Sequence, residues 1–385
     1  MKKLFFIIIL ITNLFSKDGS VQPTPSEKVQ HTTLFGPIKD IDVSTDGKFV
    51  VMGSLGGNIF IQNLEDKNNI AVLRTTLDDI TSIDLSKDMT TIIAGDIKGQ
   101  VEVWNLMKKT LVRKLDGHTK KITSVSISDD NTRVMSGSNH ESIKLWNLQT
   151  GALITTTKSL GEKIEGSYPE RLLTRIIKNK AISFFEPERF FEIHDVNTGE
   201  KIGKVNVFDE NVDPDFQYIP TTPGFMRDYS VAFSADGNTV FISTMDEETL
   251  NKDCLDRNRS CNRIGYCIKA IDVKSNKVKF KISVDSHYLA VTISKDGKYG
   301  IFIETQRNKN LGQLLLKKVE MASGKVDTYV LDEKNHAIGG FSNKRVRMPI
   351  KIREISNGKF IGVTDDGEVN IWDINNLKTN AKESK

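Results

Sequence analysis

Three cysteines lie close together in the second half of the chain, at Cys254, Cys261 and Cys267. Their spacing does not match the paired CxxC pattern of a zinc site, and the chain has no CxxCH haem attachment. In an oxidising compartment, such cysteines are expected to form one disulfide that fixes a loop and to leave one thiol over. The spacing does not decide which two would pair.

Histidines and nucleophile motifs give no sign of catalysis. Three of the six histidines, His31, His118 and His194, fall in predicted strands or at their corners, and the others lie near loops. The chain contains no GxSxG or HExxH pattern. The glycine-rich run at residues 53–57 opens a strand and not a helix, so no helix N-terminus is available for a phosphate. We therefore expect no catalytic residue, no bound metal and no cofactor.

Two runs of opposite charge are candidates for binding a partner. They are a basic run at Lys344, Arg345, Arg347, Lys351 and Arg353 and an acidic run at Asp209, Glu210, Asp213 and Asp215. Loops of opposite sign could meet each other or steer a partner. The end of the basic run alternates along a predicted strand, so a solvated strand face explains it equally well. A net charge of only +4 does not favour nucleic acid as the main partner.

Short strands must position these residues. Between Asp116 and Gly151, polar and apolar residues alternate over residues 122–128, and a turn separates them from a second strand at 132–136. A third strand is predicted at 142–146 and a fourth at 152–157, each after a short polar connection. The stretch therefore predicts a unit of four antiparallel strands.

This unit resembles a WD40 repeat. The pair Gly117-His118 opens it and the pair Trp146-Asn147 closes its third strand, at the distance seen in that family. The resemblance implies a hydrogen-bonded set of His, Ser or Thr, Asp and Trp, of which His118, Ser136 and Trp146 fill three places. His140 stands at the Asp position. Near the end of the chain, Asp366 and Trp372 match two places of the set, but Gly362 replaces the Ser.

Two markers repeat along the chain. A large, a polar and an aliphatic residue end each third strand, at 62–64, 104–106, 146–148, 194–196, 271–273, 319–321 and 372–374, and all three tryptophans fall there. The hairpin between strands one and two recurs at 45–47, 87–88, 129–130, 179–180, 235–237, 295–297 and 357–358. Both markers predict seven blades, and the widest gap holds only one strand quartet.

The fold class is therefore an all-β, seven-bladed WD40-like β-propeller. We expect a strand at residues 29–35 to complete the last blade, because this closure removes an open sheet edge. The propeller would span residues 29–380, after a linker at 17–28 and before a polar tail at 381–385.

The N-terminus predicts export. Residues 1–16 combine Lys2-Lys3, an apolar run and a small residue at a plausible cleavage point, as in a secretory signal peptide. The run is shorter than a bilayer span. An uncleaved membrane anchor is the alternative, and the lack of a nearby cysteine disfavours a lipoprotein. We expect a periplasmic or extracellular protein without stable membrane insertion after signal removal.

The long connections predict where a partner binds. In WD40 propellers the loops between strands two and three and those between blades share one face, to which residues 161–170, 208–227, 246–264, 306–312 and 339–348 belong. This distribution favours a binding surface over neutral drift. We expect a non-enzymatic scaffold for a protein partner. The rival is an exported propeller enzyme of metal-dependent hydrolase or lactonase type, or an accessory subunit of a periplasmic redox system. An enzyme of that type would place metal ligands around the central channel, where the sequence predicts no convergent acidic set.

Overall fold

A computed structural model describes most of the strands that the sequence predicts. The described residues are 27–29, 37–66, 70–139, 142–158, 172–185, 190–207, 231–246, 265–284, 290–308, 311–337, 349–356, 358–364 and 369–377. They form seven four-stranded antiparallel sheets arranged as a seven-bladed β-propeller. The predicted fold class is confirmed. A single 3-10 turn at Ile374–Asn376 is the one helical element of the described residues.

Strand β1 (Glu27–Val29) precedes the first blade. Blades 1 to 3 are regular, with strands of five or six residues. They are β2 (Ile38–Val43), β3 (Phe49–Ser54), β4 (Asn58–Asn63) and β5 (Ile70–Arg74); β6 (Ile80–Leu85), β7 (Thr91–Asp96), β8 (Val101–Asn105) and β9 (Thr110–Lys114); and β10 (Ile122–Ile127), β11 (Arg133–Ser138), β12 (Ser142–Asn147) and β13 (Leu153–Lys158).

Blades 4 to 7 vary more in strand length. They are β14 (Leu172–Ile177), β15 (Lys180–Phe185), β16 (Phe190–Asp195) and β17 (Lys201–Asn206); β18 (Val231–Phe233), β19 (Thr239–Met245), β20 (Tyr266–Asp272) and β21 (Lys277–Val284); β22 (Ala290–Ile293), β23 (Tyr299–Asn308), β24 (Leu311–Glu320) and β25 (Val326–Ala337); and β26 (Pro349–Ser356), β27 (Lys359–Thr364) and β28 (Val369–Asp373). We call blades 1 to 3 the first half-ring and blades 4 to 7 the second half-ring.

The last sheet has strand β1 at its outer edge. Glu27, Lys28 and Val29 pair antiparallel with Ile371, Asn370 and Val369 of β28. This strand lies earlier than the predicted residues 29–35, of which 30–35 fall outside the described residues. A closing strand over that full range stays a prediction.

Apolar packing joins consecutive blades. The core consists of buried clusters that each draw on two neighbouring blades, and among the described residues every interface of the ring holds one. The cluster between blades 7 and 1, for example, combines Ile361 and Val363 with Ile41 and Val50, all fully buried. The inner strands are buried on both sides because each blade is covered by its two neighbours.

Blade 6 corrects one predicted loop. Residues 306–312 were expected to form a long connection, but β23 and β24 continue pairing as far as Asn308 and Leu311. The expectation of a loop over residues 306–312 is therefore wrong. Backbone groups at 306–308 and 311–312 are satisfied by an extended two-stranded ladder, which β25 widens to three strands at Leu311 and Gly312.

Candidate functional site

The strand order assigns each connection to one face of the disk. Within every blade the strands run antiparallel in the order one to four. Connections between strands two and three, and between consecutive blades, therefore lie at one end of the strands, which we call the loop face. Connections from strand one to two and from three to four lie at the other end, the turn face.

Most predicted partner-binding residues fall outside the described part of the chain. This applies to Lys344, Arg345, Arg347, Asp209 and Asp213, to the acidic residues Glu210 and Asp215, and to the predicted loops at 161–170, 208–227 and 339–348. The strands that flank these segments, such as β17 and β18, end and begin at the loop face. The structure thus gives the face on which these connections start and finish.

The cysteine-bearing connection is anchored at both ends. Asp246 is buried, its backbone N–H donates to the carbonyl of Gly265 at 2.8 Å, and its Oδ1 lies 2.7 Å from Nζ of Lys281. Cys254 and Cys261 lie between these anchors and outside the described residues. Cys267 is fully buried in β20. A disulfide among the three stays a prediction.

The turn face is built from a repeated hydrogen-bonded turn. In five blades the first hairpin contains a Ser and an Asp two residues apart, namely Ser44 and Asp46, Ser86 and Asp88, Ser128 and Asp130, Ser234 and Asp236, and Ser294 and Asp296. The Ser hydroxyl donates to the Asp carboxylate at 2.5–2.7 Å and accepts the N–H of the first residue of strand two at 2.9 Å. The Ser hydroxyl is also the main cause of the lowered pKa of Asp46, Asp236 and Asp296. These turns satisfy their own polar groups, so they act as structural elements.

Inner-strand side chains bind the next blade in the first half-ring. Oδ2 of Asp40 accepts the N–H of Ile83 at 2.9 Å, and Oδ2 of Asp42 accepts that of Leu85 at 3.0 Å, each from a residue 43 positions later. The same contacts continue around the ring, with Ser82 to Val125, Asp84 to Ile127, Ser124 to Thr174 and Ser126 to Ile176. We call this series the polar collar. It ties blade 1 to 2, 2 to 3 and 3 to 4.

Cations from blade 7 meet the acids of blade 1 in the central channel. Nζ of Lys351 forms a short ion pair with Oδ1 of Asp40, and Nε of Arg353 lies 3.5 Å from Oδ1 of Asp42. Burial raises the pKa of Asp42, but Arg353, together with Arg175 and Lys351, outweighs burial and leaves this pKa lowered. The expectation that Lys351 and Arg353 alternate on a solvated outer strand face is wrong, because β26 is the innermost strand of its blade.

A third ion pair at the channel joins blades that are not neighbours. Nη1 of Arg175 in blade 4 lies 3.2 Å from Oδ1 of Asp84 in blade 2, passing the shorter side chain of Ser126 in blade 3. Burial, with the charge of Asp42 as a smaller contribution, raises the pKa of Asp84 to about 6, although Arg175 opposes the shift. The expected absence of a convergent acidic set is thus corrected: Asp40, Asp42 and Asp84 are all buried at the channel. Each of them is bound to a cation and to a backbone N–H.

These acids do not form a metal centre. Among the described residues, no group of three or more His, Cys, Asp or Glu side chains is arranged to hold a metal ion. At the channel, the carboxylate oxygens of Asp40, Asp42 and Asp84 are already taken by Lys351, Arg353, Arg175 and the polar collar. A cation there would compete with three resident positive charges.

Blade 3 carries the predicted His, Ser and Trp as one hydrogen-bonded set. Nε2 of His118 lies 2.8 Å from Oγ of Ser136, and the indole N–H of Trp146 donates to the same hydroxyl at 2.9 Å. All three residues are buried, and the His118 and Trp146 rings meet edge to face at 6.3 Å. His140 lies outside the described residues, as does Asp366. Trp372 is buried against Gly362, where a Cβ would come within 2.8 Å of the indole ring.

In blades 2 and 4, a glutamate is the hydrogen-bond partner of the residue at the Trp position. In blade 2 the indole N–H of Trp104 donates to Glu102 at 2.8 Å. In blade 4 the equivalent Trp position holds His194, whose Nε2 lies 3.2 Å from Glu192. These acids escaped the sequence prediction, although both stand two residues before the Trp or His, a spacing that places them on the same side of the strand.

The polar collar was also not predicted, although the sequence contains a pattern that indicates it. Asp40 and Asp42, Ser82 and Asp84, and Ser124 and Ser126 recur at the repeat length as small polar residues on alternate positions of strand one. Such positions share one side of a strand, and only those of residues 122–128 were used, as the alternation of a half-buried strand. No such repeat marks Arg175, because its contact with Asp84 depends on the geometry of the closed ring.

Seven four-stranded sheets around a charged channel define the class of this protein as a β-propeller. The family model of the WD domain, G-beta repeat (WD40), matches residues 109–147, which include the His118, Ser136 and Trp146 set. The chain is therefore a seven-bladed β-propeller that carries a WD40 repeat at residues 109–147, and the predicted resemblance is confirmed. A search of curated proteins found no matching relative. WD40-repeat propellers are typically non-catalytic scaffolds for protein partners.

Proposed function

We propose that this protein is an exported, non-enzymatic scaffold that binds a protein partner through the loop face of the second half-ring. The distribution of connection lengths carries the proposal. On the loop face, β17 is joined to β18 by residues 207–230 and β19 to β20 by residues 246–265. Within and between blades 1 to 3, the loop-face connections have only three to seven residues, from 55–57 to 115–121. Long connections on a rigid frame are the usual location of recognition residues.

The turn face supports the proposal by contrast. Its repeated Ser and Asp side chains are engaged with their own backbone, so they offer few unsatisfied groups to a partner. Among the described residues, the most exposed large apolar side chain is Met107 on this face, at 78% exposure, and individual exposed apolar residues are ordinary on protein surfaces. The opposite charges of the two candidate loop runs would favour a partner with a matching charge pattern.

The channel chemistry supports a non-enzymatic role. Propeller enzymes of the rival type use channel carboxylates as metal ligands, whereas Asp40, Asp42 and Asp84 are bound to resident cations. Titration of the purified protein with calcium or zinc, followed by thermal unfolding, tests this directly. We expect no stabilisation at low metal concentration. A large upward shift of the unfolding midpoint would favour the rival enzyme.

Export rests on the N-terminal pattern of residues 1–16. Among the described residues, no helix is long and apolar enough to cross a bilayer. N-terminal sequencing of the protein recovered from an exported fraction should show a start near Lys17. Recovery of the full chain, with Met1 retained, from the cytoplasmic fraction would contradict export.

Affinity capture of the mature protein tests partner binding. Residues 247–263 are replaced by a short Gly-Ser linker, which keeps Asp246 and Gly265 and therefore the anchor of the connection. Met107→Ser on the turn face is the control. We expect the linker variant to lose partners that the control retains, with equal unfolding midpoints for both. Recovery of the same proteins by both variants would contradict recognition by this connection.

A further inference from the structure

Lys295 lies where three blades meet on the turn face. It follows Ser294 in the first turn of blade 6, and its Nζ donates to the carbonyls of Thr45 at 2.9 Å, Ile355 at 3.0 Å and Ser44 at 3.3 Å. An ammonium group has three N–H donors, and all three are used here. A side chain of blade 6 thus contacts blade 7 through Ile355 and blade 1 through Ser44 and Thr45.

The backbone of the same residue adds a fourth contact. The N–H of Lys295 donates to Oε2 of Glu354 in blade 7 at 2.6 Å. In blade 7 only two residues separate β26 from β27, and the Ser and Asp pair is absent from the sequence there. The carbonyl of Ile355 accepts from Lys295 of blade 6 and lies against Gly47 of blade 1. We call Lys295, Glu354 and the three carbonyls the Lys295 clasp.

Blade 1 fits closely against this position. Gly47 has a φ of +72°, and a Cβ there would lie 1.9 Å from the carbonyl oxygen of Ile355. A glycine is required because only a residue without a Cβ permits this approach. The turns of blades 1 and 7 are therefore in direct backbone contact beneath the Lys295 ammonium.

Strand β1 offers much less contact across the same junction. It pairs over three residues, whereas the fourth strands of the other blades have five to twelve. Blades 7 and 1 also share an apolar cluster and the Lys351–Asp40 and Arg353–Asp42 ion pairs. Among the described residues, contacts that do not involve β1 thus hold the junction from the channel to the turn face.

We propose that the Lys295 clasp closes the ring independently of strand β1, so that the disk stays closed when β1 leaves the edge of β28. This inference does not depend on the proposed partner binding. It means that the position at which the N-terminal segment is processed or held does not decide whether the propeller is closed.

Hydrogen exchange of three full-length variants tests the proposal. Lys28→Pro combined with Val29→Pro breaks β1, because successive N–H groups point to opposite sides and one of the two prolines removes a ladder bond. Lys295→Met removes the clasp and keeps the aliphatic stem. Lys87→Met is the matched control, since Lys87 holds the same turn position in blade 2 but pairs with the partly exposed Asp129.

We expect the two prolines to raise exchange only in β28 and to leave the unfolding midpoint nearly unchanged. Lys295→Met should raise exchange in β2 and β26 and lower the midpoint by about 2–4 °C, whereas Lys87→Met should do neither. The proposal is overturned if Lys295→Met behaves like Lys87→Met. It is equally overturned if the proline variant raises exchange in β2 and β26 or fails to fold.

Discussion

The two half-rings of this propeller are built from the same strand quartets but are held together differently. In the first half-ring, the polar collar ties each inner strand to the next blade, and the described connections on both faces are short. In the second half-ring, the corresponding inner positions hold the channel cations Arg175, Lys351 and Arg353 in blades 4 and 7 but include Ala232 and Ala290 in blades 5 and 6, where large aromatic residues such as Phe241 and Phe302 fill the interface. The long loop-face connections at 207–230, 246–265 and 338–348 also belong to this half, and the one at 159–171 joins the two halves.

This difference distinguishes the part of the ring whose sequence is restricted by hydrogen bonds from the part whose connections vary in length. A collar of side-chain to backbone hydrogen bonds requires small polar residues at fixed positions, so it restricts the sequence at the repeat length. Apolar packing is less directional and tolerates different residues of suitable volume. The half-ring held by apolar packing is therefore the one whose connections can lengthen without loss of the blade.

The largest expected effect is on the pH dependence of the free energy of unfolding. It concerns Asp84 and Asp42, two acids of the collar whose pKa values are shifted in opposite directions. The pKa of Asp84 is raised to about 6 by burial, above the 3.8 of an unfolded chain, so its stabilising contribution is complete below pH 3.8 and is lost as pH rises through 6. The loss amounts to about 3 kcal/mol. Asp84→Asn keeps an acceptor for the N–H of Ile127, and we expect its free energy of unfolding to lack this decline between pH 4 and 8.

Asp42→Asn is the matched control for that measurement. Burial raises the pKa of Asp42, but Arg353 and the other cations lower it overall, so Asp42 stabilises the fold above pH 3.8 and this contribution is lost in acid. We expect Asp42→Asn to destabilise the protein at pH 7. Equal pH profiles for the two variants, measured by denaturant unfolding, would contradict the opposite roles of the two acids.

A smaller effect distinguishes blade 3 from blade 4. Ser136 and Ser183 hold equivalent positions in strand two and are both buried. Ser136→Ala removes the partner of His118 and Trp146 and should lower the free energy of unfolding by about 2–3 kcal/mol. Oγ of Ser183 is buried without a hydrogen-bond partner in the structure, so Ser183→Ala should be neutral or slightly stabilising. Equal losses in both variants would show that the WD40-type set in blade 3 has no special role.

Much of the frame could be predicted from the sequence because it repeats. The residues that end each third strand, with Trp104, Trp146 and Trp372 among them, gave the blade number, and Gly117-His118 pointed to the hydrogen-bonded set of His118, Ser136 and Trp146. Each of these features lies within a single blade. Local spacing is enough to recognise them.

The contacts that the sequence did not predict are ion pairs and hydrogen bonds between different blades. The sequence leaves open whether Lys351 and Arg353 form a solvated strand face or a patch that binds a partner, whereas both pair in the channel with Asp40 and Asp42, more than three hundred residues earlier. Arg175 and Lys295 likewise find their partners across the ring. The sequence alone does not show which blades face each other, so such pairs become visible only when the ring is closed.

The central claim is that the loop face of the second half-ring recognises the partner while the turn face is structural. Hydrogen exchange of the protein with and without its captured partner tests it most directly. We expect protection in the connections after β17, β19 and β25, and unchanged exchange in the five turns that contain Ser and Asp. Protection confined to those turns would contradict the claim.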